Sequence, residues 1–194
     1  MIRDNALAIS DLLVPDIGGA PVKPYEVAAS FAPEKPGEGN DLYRRSLYTW
    51  WKRNAPAPVM VTFDAAKRDV CSVRREPTSS PLQSLVLLNG PQFTEASRVL
   101  AANLLTKHGN DISSLVHEAH RFLTSRRPDS SEAAILKSLY QEQKELFARE
   151  PEAAEELLKV GNAPTAKTSE KPALAAATVL VNSLMNLDEA LNQR

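Results

Sequence analysis

The stretch PQFTEASRVLAANLLTKHG, Pro91 to Gly109, decides the architecture. Its apolar residues Phe93, Ala96, Leu100 and Leu104 recur at three- and four-residue steps, the spacing of one helix face. Pro91 suits a first helical position, where a missing N–H is no loss. Gly109 closes the run. The residues that follow repeat the pattern. Asp111 stands as N-cap before a stripe of Ile112, Leu115, Val116, Ala119, Phe122 and Leu123. Asp129 to Glu132 has the offset of a capping box, ahead of Ile135, Leu136, Leu139, Leu146 and Phe147. Pro151 restarts a short acidic helix that Gly161 stops. Pro172 opens another, carrying Leu174, Ala177, Leu180, Val181, Leu184 and Leu187. Residues 92–194 are therefore expected to be helical almost throughout.

Upstream the pattern is less regular. Ile2, Ala6, Ile9 and Leu13 predict a helix face, stopped by Pro15 and the Gly18-Gly19 pair. Residues 18–40 contain Pro21, Pro24, Pro33 and Pro36 and read as an extended, linker-like segment. Residues 41–91 form a dense block opening with DLYRRSLYTWWKR. A helix capped by Asn40 or Asp41 would bury Tyr43, Leu47 and one of Trp50 and Trp51, leaving the other partly exposed; the same residues are strong β-formers, so a strand is the alternative. VMVTFD and DVCSVRR read as short extended pieces. Ser80-Pro81 then opens a compact apolar helix closed by Asn89-Gly90. The expected fold is a single, mainly α domain with a small irregular or β-containing centre.

Composition bounds the function. A length of 194 residues with 43% hydrophobic and 24% charged content is that of a globular chain able to bury its own core. The net charge of −1 supplies no global field for nucleic acid, which is not an expected partner. No apolar run is long enough to span a bilayer, and MIRDNALAIS lacks the apolar core of a signal peptide. The single cysteine, Cys71, cannot form an internal disulfide. It is expected to be a buried small hydrophobe, with Arg74 and Arg75 as the argument for reactivity.

Two constellations could carry chemistry. His117 and His120 sit three apart on one helix, one residue short of the zinc-protease spacing, so they are metal candidates only with a ligand from elsewhere; no metal is the expectation. The denser constellation lies between Asp41 and Arg75, where eight Lys and Arg face three Asp. Arg44, Arg45, Arg53, Arg74 and Arg75, with Trp50 and Trp51, are the candidate binding residues. A basic patch with aromatics can hold an anionic glycan or steer a redox partner. Asp64 and Asp69 are the candidate acid and base of a hydrolase-like alternative. The sharper expectation is that Arg44, Arg45, Arg74 and Arg75 converge with both aspartates around one depression.

The run from Asp41 to Phe93, DLYRRSLYTWWKRNAPAPVMVTFDAAKRDVCSVRREPTSSPLQSLVLLNGPQF, resembles the signature block of a planctomycete-specific domain of unknown function, family 1553. IRDNALAISDLL, GGAPVKPYE, HRFLTSRRPDSSE and VLVNSLMNLDEAL resemble its flanks, so the likeness spans the chain. It implies the C-terminal part of a large exported protein, placed outside the cytoplasmic membrane, whose upstream domains often include a cytochrome-c type. Haem would then belong upstream, with no cofactor in this chain, and those upstream domains would be its partners. The family brings no reaction. The role expected for such a chain is a non-catalytic binding or scaffold module engaging polysaccharide or a redox protein, with the hydrolase-like enzyme as the alternative. As a fragment, the chain would leave Ile2, Ile9 and Leu13 less buried than their pattern demands, and the helix around Leu180 well packed.

Overall fold

A computed structural model describes residues 2–25, 35–53, 55–66, 71, 73–74, 78–165 and 170–191. The chain is mainly helical, as its periodicity predicts. The helices are α1 (Ile2–Ile9), α2 (Pro58–Thr62), α3 (Pro81–Asn89), α4 (Pro91–His108), α5 (Ile112–Thr124), α6 (Ser130–Arg149), α7 (Pro151–Leu158), α8 (Lys171–Met185) and α9 (Asp188–Leu191). They fall into two compact units, one over Leu12–Val86, the other over Ile2–Asp11 with Leu87–Arg194.

The second unit is a helical assembly built on α8, which packs on α4, α5, α6 and α7. The sequence of α8 is apolar on nearly every side, and a helix of that kind must be buried all round. Ala173, Ala175, Ala176 and Ala177 are buried together with Leu174, Leu180, Val181 and Leu184. The alanines let neighbouring backbones approach closely. Leu187 lies past the helix and is exposed. Asn182 donates from Nδ2 to the Leu88 carbonyl at 3.0 Å, anchoring the end of α3.

The start signals act as written in the sequence. Asp111 accepts from the Ser114 amide at 3.1 Å. Asp129 and Glu132 form a reciprocal capping box. Pro81, Pro91 and Pro151 stand in the first turns of their helices. Two faces are turned from the expected ones. In α6 the buried residues are Ala133, Tyr140 and Phe147, while Ile135 and Leu146 are exposed. In α1 they are Arg3, Ala6 and Leu7. Ile2, Ile9 and Leu13 are half-buried. The helix also ends at Ile9, because Asp11 adopts a left-handed conformation (φ 59°) and the buried Ser10 hydroxyl donates to the Ala6 carbonyl at 2.9 Å. Arg3 reaches Gln92 with its Nε at 2.6 Å, and that partner makes burial of its guanidinium tolerable.

The first unit is largely irregular. DLYRRSLYTWWKR forms neither of the expected elements. It makes two 3-10 turns, Gly39–Leu42 and Ser46–Tyr48, and two isolated parallel bridges, Val14 with Arg44 and Val22 with Thr49. Leu42 is buried while Leu47 is 76% exposed. VMVT, read as extended, is the helix α2. Pro58 at its start supplies the preset φ that favours a turn of helix over a strand.

Candidate functional site

The candidate site residues are placed by the loop that surrounds Arg44. This guanidinium is 9% exposed. It donates to the carbonyls of Ala20 (3.2 Å), Asp16 (3.2 Å) and Gly18. Its face lies 4.3 Å from the centre of the Tyr48 ring, and the Tyr48 hydroxyl accepts from the Gly18 amide at 2.9 Å. Gly18 and Gly19 supply the positive φ values (83° and 86°) that turn the loop's carbonyls inward. Arg44 therefore works as the hub around which residues 16–20 fold.

Asp64 has a different task. It lies in a left-handed conformation (φ 57°) after α2. Its carboxylate accepts from the Thr78 amide at 2.7 Å and the Thr78 hydroxyl at 2.9 Å, with Gln83 Nε2 beyond at 3.4 Å. Those donors, the Thr78 amide first, hold its pKa below the ordinary value. Gln83 ties the same knot to α2 through the Thr62 carbonyl at 2.8 Å. Among the described residues Asp64 touches no arginine, so Arg44 and Asp64 belong to separate networks. Arg45, Arg53 and Arg74 are exposed. Asp69 and Arg75 lie outside the described residues, as do Lys67 and Arg68.

Trp50 and Trp51 are both half-buried, not divided between core and surface. The Trp50 amide donates to the Val22 carbonyl at 2.7 Å, which fixes the segment. The Lys23 ammonium lies 4.9 Å from the Trp50 ring centre, an attraction between cation and ring quadrupole.

Cys71 is exposed, against its expected burial. Val73 close by is fully exposed, and most of the run read as extended lies outside the described residues. A thiol reagent should therefore label one sulfhydryl per native chain as fast as in denaturant. Labelling that needs denaturant would restore the buried reading.

His117 is half-buried and His120 is 1% exposed. A carbonyl can only accept, so Nδ1 of His120 donates to the Arg126 carbonyl at 3.1 Å. Its Nε2 stands 3.8 Å from Glu132. Among the described residues no group of three or more His, Cys, Asp or Glu is arranged to hold a metal ion.

Sequence reasoning missed two charge clusters. Glu118 pairs with both Lys107 and His108. Those partners, Lys107 first, keep its pKa below the ordinary value. Arg126 pairs with Glu132 at 2.6 Å and Glu189 at 2.8 Å, joining α6 to α9. Arg126, then the Asp129 amide, draw Glu132 down to about 2. The offset of six between Arg126 and Glu132 was visible, but nothing local indicates the third member, Glu189. A depressed carboxylate stabilises the fold above its unfolded pKa and loses that contribution as pH falls through the folded one. Acid titration should therefore lower Tm progressively as pH falls from the ordinary glutamate value of 4.5 towards about 2. In Glu132→Gln that slope should be shallower, and an unchanged slope would dismiss Glu132 as its source.

No helix among the described residues is long and apolar enough to cross a membrane. No curated protein and no solved structure matches the chain. A family model described as PSD1, protein of unknown function (DUF1553), matches residues 1–140. That span covers the caged Arg44, the Asp64 knot, both tryptophans and the helices to the middle of α6, and by it the chain belongs to the DUF1553 family.

Proposed function

We propose that the chain is a non-catalytic binding module of a larger exported protein, and that it engages polysaccharide at Trp50 and Trp51. The observation that carries this reading is the pair of half-buried tryptophans on a backbone pinned to Val22. A tryptophan has a large apolar surface, and leaving two adjacent ones partly in water is costly unless a partner covers them. A flat ring beside polar groups suits the apolar face of a sugar. Arg45 and Arg53, both exposed on the same block, supply donors for hydroxyl or acidic substituents. The hydrolase alternative relies on Asp64, whose hydrogen bonds to Thr78 already serve the turn, so the binding reading has the better support.

The chain's two tryptophans are adjacent, so fluorescence excited at wavelengths that tyrosine does not absorb reports on this segment alone. Titration with soluble neutral and acidic oligosaccharides should give a saturable change. Trp51→Ala should weaken binding about tenfold or more, the loss typical of an aromatic anchor, with the far-ultraviolet circular dichroism unchanged. An unsaturable response to every sugar would defeat the proposal. So would a Trp51→Ala protein that binds as the parent does in calorimetry.

A further inference from the structure

The second unit contains a groove of about 320 Å³, bounded by the end of α1, the C-terminal half of α4, and α5. Its floor is apolar, with Ile9, Leu100 and Leu104, and Phe122 at its edge. Phe122 is 48% exposed although its neighbours in the α5 stripe are buried. The volume is at the small end of ligand pockets.

Three charged side chains line this groove, and they are not equivalent. Glu118 holds Lys107 on one carboxylate oxygen and His108 on the other. The Glu118 carboxylate thereby offsets the Lys107 ammonium. Asp11 enters no ion pair among the described residues. Its backbone is fixed in the left-handed region at the end of α1. The groove thus combines apolar walls, one open aromatic ring and one uncompensated carboxylate.

We propose that this groove binds a small organic cation, an ammonium group carried on an apolar body. The body would cover Ile9 and Leu100, and the ammonium would pair with Asp11. The exposed Phe122 ring adds an attraction that a cation feels and a neutral group of the same shape does not. An organic anion would meet Asp11 with repulsion, and Lys107 already has Glu118 as its partner.

Three probes of similar shape and different charge decide the matter: phenethylammonium, phenethyl alcohol and 3-phenylpropanoate. Each is titrated into the full chain while its backbone amides are followed by nuclear magnetic resonance. Phenethylammonium should shift the amides of Asp11, Leu100 and Phe122 saturably. The alcohol should bind about three- to fivefold more weakly, the usual range for one exposed ion pair. Asp11→Asn should remove that difference, and asparagine tolerates the left-handed backbone. Phe122→Ala should weaken both probes. The proposal is overturned if the carboxylate binds as well as the ammonium. It is equally overturned if Asp11→Asn changes nothing, or if no probe moves these amides.

Discussion

Gly161→Ala is expected to lower the unfolding free energy by about 3–5 kcal/mol. Gly161 has φ 94°, which an L side chain rarely adopts. A Cβ there would stand 2.5 Å from Cδ of Glu95 and 2.6 Å from its Cβ and Cγ. Glu95 cannot swing away. It is 3% exposed on α4, and its Oε1 accepts from the amides of Asn162 (2.6 Å) and Ala163. One turn further along α4, the buried Arg98 donates to the Ala163 carbonyl at 2.7 Å and the Pro164 carbonyl at 3.3 Å. The two side chains grip the turn after α7 from both polarities of its backbone. Glu95→Ala alone should cost about 2–3 kcal/mol by leaving two amides unpaired. The double variant should cost clearly less than the sum, since removing the Glu95 side chain removes the clash. Urea denaturation of the four proteins measures this coupling. Simple additivity would mean that the close approach of Glu95 is not what glycine serves.

Arg44→Ala should unfold the 16–20 loop and destabilise the first unit by about 3–4 kcal/mol, because three carbonyls lose a charged donor. Lysine is an informative replacement. It keeps the charge, but it has neither the planar fork that reaches several carbonyls nor the face that stacks on Tyr48. Arg44→Lys should therefore recover less than half of the loss. Hydrogen exchange at Gly18 and Val22, whose amides bond to the Tyr48 hydroxyl and the Tyr48 carbonyl, follows the loop directly. Both amides should exchange faster in the alanine variant, while those of α8 should keep their rates. Exchange that rises equally in α8 would show that the loop does not respond as a separate element.

Most helices with a local start signal were legible, although α2 was read as extended despite Pro58 in its first turn. Proline in the first turn, Asp111 as cap and the Asp129–Glu132 box operate within four residues, so their physics is present in the string of letters. The apolar stripes were less reliable because they say that a face exists, not where its partner lies. α6 turns Tyr140 and Phe147 inward and leaves Ile135 in water, a choice made by α8. The centre was illegible for the same reason in stronger form. Arg44 is bonded to residues 24 to 28 positions away, and no periodicity encodes a guanidinium surrounded by a loop. Charge and aromatic content marked residues 41–53 correctly as unusual, yet could not divide Arg44, which builds the loop, from Arg45 and Arg53, which face solvent. The groove escaped notice because Asp11, Leu100 and Phe122 meet only through the packing of three helices.

The position of α8 has a kinetic consequence. It is the central helix of its unit, yet α4, α5, α6 and α7 all precede it in the chain. As the polypeptide leaves the ribosome, those helices can form and make their smaller contacts with one another, but the faces of α4 and α6 that pack on α8 stay open until about residue 185 emerges. At typical synthesis speeds of about 5–20 residues per second, the interval from α4 to α8 lasts several seconds. Throughout it the faces that α8 will cover remain solvent-accessible and prone to association. The closing step joins segments some 80 residues apart, whose loop entropy slows it further. Chaperone demand during synthesis should consequently depend on α8, and a substitution that delays its docking should lower soluble yield well before it lowers Tm.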